Sequence, residues 1–253
     1  MNRLISSALL PSVANIFSRN VSSKSPVAMK KVSHVIFDMD GLLLDTEHIY
    51  EAAVRDIAKS YNKDYPHDVR MKVMGTTEQM TIKIVVKELA LPISEAEFQD
   101  KFTELCRKRF GKLDLLKGAD RLIFHLHQSK VPFCLATSSS QEMGELKMSS
   151  HQSLFDLFNH KVYGSTDPEV KHGKPAPDIF LVAAGRFQAK PSPSECLVFE
   201  DAPNGVRAAV SAGMQSVMVP DKIVAPEQRK EATLVLESLL DFKPEMFGLP
   251  PFK

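Results

Sequence analysis

The sequence predicts an α/β protein with a mainly parallel sheet and an inserted α-helical cap domain. Short apolar, β-branched runs recur along the chain, helical patterns separate most of them, and a helical block of about 70 residues follows the first run. Strands that are separated by helices need crossover connections, which place parallel neighbours in a sheet covered by helices on both faces. The helical block is therefore read as an insertion into the sheet domain.

The first predicted strand covers residues 32–37 and stops at the polar turn 38–41. From residue 46 to residue 111 the apolar side chains recur at helical spacing, and no good strand is present. Ser94 and Glu97 have the spacing of a capping box that opens a helix. We therefore predict a core domain over 32–45 and 112–253 and a cap over 46–111.

Strand and helix alternate again after the cap. The predicted strands are 131–136, 162–163, 196–199, 216–219 and 233–236, and the predicted helices are 119–127, 177–187 and 205–212. The 253 residues are 43% hydrophobic and 25% charged, as in one or two ordinary folded domains. Three scattered cysteines cannot form a disulfide framework, which favours a reducing compartment.

The charge of the chain is unevenly divided. Residues 1–37 carry a net charge of +5 with no acidic side chain, and residues 38–253 carry −4. The Ser-rich, Arg-containing leader 1–31 is typical of a mitochondrial transit peptide; an unstructured tail, or a start at Met29, is the alternative. We expect a mitochondrial protein if residues 1–28 act as a transit peptide, and a cytoplasmic one otherwise.

The sequence also limits the partners. The five positive charges of the leader form no dense basic block, so we expect no nucleic-acid partner. No apolar run approaches the roughly 18 residues of a membrane-spanning helix, so we expect no membrane partner. Because no coiled-coil pattern or long apolar surface stripe is evident, we expect a monomer.

Polar residues follow three of the predicted strands. Asp38 and Asp40 follow the first, Thr137 and Ser138 follow the second, and the pair Glu200-Asp201 follows strand 196–199. Ligands of open α/β sheets bind at the carboxyl ends of the strands. Neighbouring strands would bring these carboxylates together, and an all-oxygen cluster suits Mg²⁺.

Each of these segments has a simpler interpretation when it is taken alone. Asp-x-Asp-Gly is common in turns, Thr137 could cap a helix, and Lys174 could be a solvated lysine rather than a counter-charge. Their conjunction in this order favours a site.

Four runs resemble the motifs of the haloacid dehalogenase superfamily of phosphohydrolases. They are Phe37-Asp38-Met39-Asp40-Gly41, Leu135-Ala136-Thr137-Ser138, Gly173-Lys174-Pro175 and Phe199-Glu200-Asp201-Ala202-Pro203. The resemblance spans residues 34 to about 250 and implies a Rossmann-like core. Runs 167–175 and 247–250 further resemble a branch of the superfamily that hydrolyses pseudouridine 5′-phosphate, which makes a small phosphate ester the expected substrate.

The resemblance also implies roles for individual residues. Asp38 would be the nucleophile that forms an aspartyl-phosphate, and Asp40 would be the general acid and base. The Mg²⁺ ligands would be Asp38, Asp201 and the backbone carbonyl of Asp40, with Glu200 close by. Thr137 and Lys174 would stabilise charge on the phosphoryl group, and the backbone near Ser138 would complete its cradle. Dehalogenating members lack Asp40 and the Glu200-Asp201 pair, so phosphoryl transfer is favoured.

The cap and its hinge should select the substrate. Thr46 lies in the hinge, and Gly75 and Thr76 lie in the loop that we expect to contact the substrate, although this loop could simply start a helix. The chain departs from many relatives at residues 139–141, because a basic residue that often follows the Thr/Ser motif is absent there.

Three other functions remain open. Sugar phosphomutases of the β-phosphoglucomutase kind share the core, but they tend to carry a histidine where Tyr50 stands here, which favours hydrolysis. A small polyol or deoxysugar phosphate could be the substrate instead. A non-catalytic binding protein is disfavoured because all the core residues are present.

Overall fold

A six-stranded parallel sheet forms the centre of the molecule. The computed structural model of the chain describes residues 29–73, 78–110 and 113–253. The strands are β1 (His34–Phe37), β2 (Phe133–Thr137), β3 (Lys161–Tyr163), β4 (Cys196–Glu200), β5 (Gln215–Met218) and β6 (Leu234–Val235). Their order in the sheet is β3-β2-β1-β4-β5-β6, and all five pairings are parallel. Strand β1 therefore lies between β2 and β4.

Alternate residues of the central strands enter two different cores. Val35 and Phe37 of β1 pack in one cluster of buried side chains, and Ile36 packs in the other. This period of two is the geometry of a pleated strand, and burial on both faces explains why the strands read as continuous apolar runs. Residues of α8 (Asp178–Gly185) and α9 (Pro203–Ser211) cover the face of Ile36. Those of α5 (Ala119–Gln128) and α7 (Gln152–Phe155) cover the opposite face.

Among the described residues, four helices are inserted between β1 and α5. They are α1 (Glu47–Ser60), α2 (His67–Val73), α3 (Glu78–Glu88) and α4 (Glu95–Phe110). Their buried side chains, such as Ile57 and Phe98, belong to the same cluster as Phe37. The predicted α/β fold with an inserted helical segment is confirmed, and no strand occurs among the described residues of 46–110. The domain limits at residues 46 and 111 stay a prediction, and the leader 1–28 lies outside the described residues.

The predicted elements match the observed ones to within a few residues. The capping box is present, because the backbone amide of Ser94 donates to Glu97 Oε2 at 2.9 Å and that of Glu97 donates to Ser94 Oγ at 3.2 Å. Strand β2 begins two residues later than predicted and includes Thr137, and β4 includes Glu200. Strand pairing within the sheet, rather than a loop, therefore holds the backbone of Thr137 and Glu200 in place. Among the described residues, no helix is both long and apolar enough to cross a membrane.

Candidate active site

The carboxyl ends of β1, β2 and β4 bring together three predicted site residues. Asp38 directly follows β1, and its backbone amide donates to the carbonyl oxygen of Phe199 at 3.0 Å. Thr137 ends β2 and Glu200 ends β4. All three are buried, with exposures of 6%, 0% and 1%. Because β1 lies between the other two strands, their terminal side chains converge as the sequence predicted.

Lys174 links two of the buried carboxylates. Its Nζ donates to Asp38 Oδ1 and to Glu200 Oε1, both at 2.6 Å, and to the carbonyl oxygen of Ala136 at 3.2 Å. The loop that carries Lys174 is held by Asp178, whose Oδ2 accepts hydrogen bonds from the backbone amides of residues 171 and 172. The predicted counter-charge is therefore in place, and all three donors of the ammonium are used.

These charges strongly perturb one another. Burial and the neighbouring Glu200 carboxylate raise the pKa of Asp38 to about 7, against the lowering effect of Lys174. Burial alone would lower the pKa of Lys174, but Asp38 and Glu200 raise it above its ordinary value. Burial, Glu200 and Asp38 also raise the pKa of Asp201 well above its ordinary value. The group has an excess of negative charge that Lys174 balances only in part.

The donor set fits a divalent cation. Carboxylate oxygens of Asp38, Glu200 and Asp201 lie within 4.8 Å of one another, and oxygen ligands are those that Mg²⁺ prefers. Lys174 brings one positive charge to three carboxylates, so a divalent cation would neutralise the remainder. A cation of this kind is therefore compatible with both the chemistry and the charge of the cluster.

Two glycines make room for this cluster. Gly41 has a φ of +77°, and a Cβ atom there would overlap Asp201 Oδ2. A Cβ atom at Gly205, in the first turn of α9, would overlap the carboxylate of Glu200. The last residue of Asp-x-Asp-Gly is therefore required both by its backbone conformation and by the close approach of a carboxylate.

Asp40 has a different environment from Asp38. Its Oδ1 accepts hydrogen bonds from Lys147 Nζ at 2.7 Å and from the Tyr50 hydroxyl at 3.3 Å. Its Oδ2 accepts from Ser139 Oγ at 3.0 Å and from Thr137 Oγ1 at 3.3 Å. Burial alone would raise the pKa of Asp40, but the charge and hydrogen bond of Lys147 and the Ser139 hydrogen bond outweigh it. The pKa of Asp40 therefore lies below its usual range, and the carboxylate is the favoured form.

Two of the four predicted substrate-binding residues, Thr46 and Ser138, lie in different surroundings. Thr46 is fully buried just before α1, and its hydroxyl contributes to the lowered pKa of Asp40. Ser138 is exposed, and its carbonyl oxygen accepts from Ser165 Oγ at 2.6 Å. Gly75 and Thr76 lie outside the described residues. Substrate-binding roles for these four residues stay predictions.

The sequence interpretation missed Lys147 and Tyr50, which both donate hydrogen bonds to Asp40. Lys147 lies in α6 (Gln141–Met148), where it is 2% exposed, and Tyr50 lies in α1. The pattern of apolar residues around Lys147 could have indicated that this lysine is buried. Gly144, Lys147 and Met148 share the buried side of α6, and a lysine on the apolar side of a short helix is unusual. Lys147 is a basic residue ten positions after Thr137, in the helix that directly follows the Thr/Ser motif.

The parallel sheet with its inserted helices carries a buried cluster of carboxylates and lysines at the carboxyl ends of its central strands. Residues 32–213 match the family model of the haloacid dehalogenase-like hydrolases, and the chain belongs to this family. The predicted enzyme class, phosphoric monoester hydrolase, is confirmed by this match and by phosphatases among its relatives.

Three proteins illustrate these similarities. A probable pseudouridine-5′-phosphatase of Drosophila melanogaster is 55% identical over 227 residues, which cover 88% of this chain and 97% of that protein. The mitochondrial (DL)-glycerol-3-phosphatase 1 of Arabidopsis thaliana is 44% identical over 225 residues, 88% of this chain and 75% of that protein. The crystal structure of β-phosphoglucomutase from Clostridium difficile has the same fold, with a TM-score of 0.69 at 23% identity over 85% of this chain and 94% of that one.

Proposed function

We propose that this protein hydrolyses pseudouridine 5′-phosphate to pseudouridine and phosphate. The observation that carries the choice of substrate is the 55% identity to a probable pseudouridine-5′-phosphatase, which extends over 97% of that relative. The site supplies the chemistry, because a buried carboxylate, a bridging lysine and a second carboxylate with donors lie at one edge of the sheet.

Asp38 acts as the nucleophile in this proposal. One of its carboxylate oxygens bonds to phosphorus while the bond from phosphorus to the nucleoside 5′-oxygen breaks, which leaves an aspartyl-phosphate. Lys174 holds Asp38 by a 2.6 Å hydrogen bond and supplies positive charge where the transferring group is most negative. Thr137 offers a hydroxyl at the same edge.

Asp40 moves the protons. When it is protonated, it donates to the departing 5′-oxygen, and as a carboxylate it then takes a proton from the water that attacks the aspartyl-phosphate. The second bond cleavage releases phosphate and regenerates Asp38. The hydrogen bonds to both Asp40 oxygens favour the carboxylate, which is the form needed for the second step.

Mg²⁺ is the cofactor in this proposal. Asp38, Asp201 and the backbone carbonyl of Asp40 would hold it with Glu200 close by, and it would screen the repulsion between a carboxylate and a phosphate dianion. We expect chelator-treated protein to lose activity and to regain it with Mg²⁺. We also expect Mg²⁺ to raise the Tm of the wild type but not that of Asp201→Asn. Full activity after exhaustive chelation would contradict the proposal.

A panel of phosphate esters tests the substrate. We expect kcat/KM to be highest for pseudouridine 5′-phosphate, with uridine 5′-phosphate as the matched control for the C-glycosidic base. Glycerol 3-phosphate belongs in the panel because of the 44% identical Arabidopsis relative. No phosphate release from pseudouridine 5′-phosphate, with turnover of another ester, would overturn the substrate but not the enzyme class.

A mutase is the second candidate reaction. Incubation with β-glucose 1-phosphate distinguishes the mutase reaction from hydrolysis, because a mutase would produce glucose 6-phosphate and a hydrolase would release free phosphate. Tyr50, which bonds Asp40 at the position where such mutases tend to carry a histidine, supports hydrolysis.

Residues 1–28 are proposed to direct the protein to mitochondria. Their basic, Ser-rich composition supports this, as does the mitochondrial name of the Arabidopsis relative. Imaging of the full chain beside a chain that starts at Met29 tests it. Cytosolic signal from both chains would contradict it.

A further inference from the structure

Lys147 is a buried lysine to which the proposed mechanism gives no role. It lies near the end of α6, 2% exposed, and its Nζ donates to Asp40 Oδ1 at 2.7 Å and to Ser139 Oγ at 2.8 Å, and also to the Tyr50 hydroxyl. These three bonds use all the donors of the ammonium. One of its partners, Asp40, is the proposed general acid and base, and the other two, Tyr50 and Ser139, also donate hydrogen bonds to Asp40.

The surroundings of Lys147 come from two parts of the molecule. Asp40 and Ser139 belong to loops that follow β1 and β2. Tyr50 of α1 and Phe110 of α4 face the ammonium from the inserted helices, with ring centroids 5.2 and 5.0 Å from Nζ. Such contacts stabilise a cation over an aromatic face. Lys147 therefore joins the sheet edge to the inserted helices at the position of Asp40.

Stability does not explain a lysine at this position. Desolvation of a buried ammonium is costly, and well-packed apolar replacements of buried ion pairs are often neutral or stabilising. α6 already contributes the buried Met148, so a further apolar residue would suit its inner side. The bond to Asp40 accounts for the charge better than packing does.

We infer that Lys147 is a positioning residue that fixes the rotation of the Asp40 carboxylate for proton transfer to the leaving group. This inference rests on the proposed phosphatase mechanism. Lys147 holds Oδ1 while Ser139 and Thr137 hold Oδ2, so the carboxylate plane is defined from both sides. The Lys147 bond joins two charged groups at 2.7 Å, whereas the Tyr50 bond to the same oxygen comes from an uncharged hydroxyl and is 3.3 Å long. Lys147 should therefore matter more than Tyr50.

The identity of the leaving group provides the test. Release of an alkoxide, as from a nucleoside 5′-phosphate, needs a proton from Asp40, whereas p-nitrophenolate leaves without one. The parameter kcat/KM reports steps up to departure of the first product. We expect Lys147→Met to lower kcat/KM about 10- to 100-fold for the alkyl ester and only about 3-fold or less for p-nitrophenyl phosphate.

Three further variants make the result specific. Lys147→Gln keeps a hydrogen-bond donor without the charge and should show an intermediate loss on the alkyl ester. Tyr50→Phe should lose less than Lys147→Met. Lys108→Met, which removes a lysine that is 68% exposed and paired with Glu104, should match the wild type on both esters. The Tm of Lys147→Met should stay within about 5 °C of the wild type, since an apolar residue fits the same space.

Several outcomes would overturn the inference. Equal losses on the two esters, or no loss on either, would show that Lys147 does not act through proton transfer to the leaving group. If Lys147→Met does not fold, the ratio of losses in Lys147→Gln decides in the same way. If the wild type cleaves another alkyl ester but not pseudouridine 5′-phosphate, the proposed substrate is wrong, and the Lys147 comparison is made on that other ester.

Discussion

Two lysine–carboxylate groups at one sheet edge have opposite electrostatic characters. The Lys174 group contains Asp38 and Glu200, and the Lys147 group contains Asp40, Tyr50 and Ser139. Burial and neighbouring carboxylates raise the pKa of Asp38 to about 7. The pKa of Asp40 is lowered, because Lys147 and hydroxyl donors outweigh its burial. Two aspartates separated by one residue thus obtain different chemistry from their surroundings.

The difference follows from the partners that each lysine has. Lys174 connects two carboxylates at the carboxyl ends of β1 and β4, and the excess negative charge around it suits a cation. Lys147 contacts one carboxylate, two hydroxyls and two aromatic rings. Three of these groups, the hydroxyl and ring of Tyr50 and the ring of Phe110, belong to the inserted helices α1 and α4. In the proposed mechanism, the first group carries out phosphoryl transfer and the second holds the proton donor, Asp40, against the inserted helices.

The largest effect is expected at the nucleophile of the Lys174 group. Asp38→Asn should lower kcat at least about 10³-fold while the far-UV circular dichroism stays unchanged, because an amide cannot form the aspartyl-phosphate. Asp64→Asn, in an exposed loop after α1, is the matched control and should keep full activity. Substantial activity in Asp38→Asn would disprove the nucleophile assignment.

Removal of the lysine should separate the two groups by stability. In metal-free protein, Lys174→Met leaves two buried carboxylates without their counter-charge, and we expect a loss of about 3 kcal/mol in the free energy of unfolding. Lys147→Met should cost only about 1 kcal/mol, since Asp40 is 21% exposed and keeps three hydroxyl donors. Urea denaturation of the two variants measures this difference. Equal losses would contradict the contrast between the groups.

A methyl group can disturb the Lys174 group without changing any charge. Gly205→Ala places a Cβ atom against the Glu200 carboxylate, and we expect about a 10-fold loss of kcat/KM because Glu200 must shift away from Lys174. Gly185→Ala is the matched control, because a Cβ atom there meets nothing within 4 Å. A wild-type rate in Gly205→Ala would show that the position of Glu200 is unimportant.

The smallest effect is expected at a histidine that lies in neither group. Burial lowers the pKa of His160, and its Nε2 lies 2.9 Å from the carbonyl oxygen of Ala183. Because its pKa is lower in the folded state, the unfolded chain binds more protons below about pH 6.5, so His160 contributes stability at neutral pH that is lost as the pH falls.

The pH dependence of the Tm measures this contribution. Between about pH 7.5 and about pH 5.5, the Tm of His160→Gln should fall about 1–3 °C less than that of the wild type. His127→Gln, at an exposed position of α5, is the control and should follow the wild type. An unchanged fall in His160→Gln would contradict the argument.

The two groups also differ in how far the sequence predicted them. Asp38, Thr137 and Glu200 were predicted and converge at one edge, because each follows or ends a strand and parallel strands align their carboxyl ends. Lys174, also predicted, reaches the same edge from the loop before α8. Tyr50, Ser139 and Lys147 were not assigned to the site. Their contacts with Asp40 span up to 107 residues of chain, and no local pattern specifies which long-range neighbours meet.

Some predictions concern residues outside the described ranges 29–73, 78–110 and 113–253. The predicted substrate-binding residues Gly75 and Thr76 and the leader 1–28 are among these. The predicted strand limits differ from the observed ones by at most two residues, since pairing with neighbours decides where a strand ends. Periodicity gives the type of an element more reliably than its ends.

The sequence by itself determined the sheet, the inserted helices and the order of the acidic motifs, because these depend on local apolar periodicity and on residues next to strand ends. The tertiary structure alone decided which carboxylate each lysine neutralises. Burial, the distance between charges and the set of hydrogen-bond donors set the pKa of Asp38 and of Asp40, and these quantities exist only when distant segments are packed together.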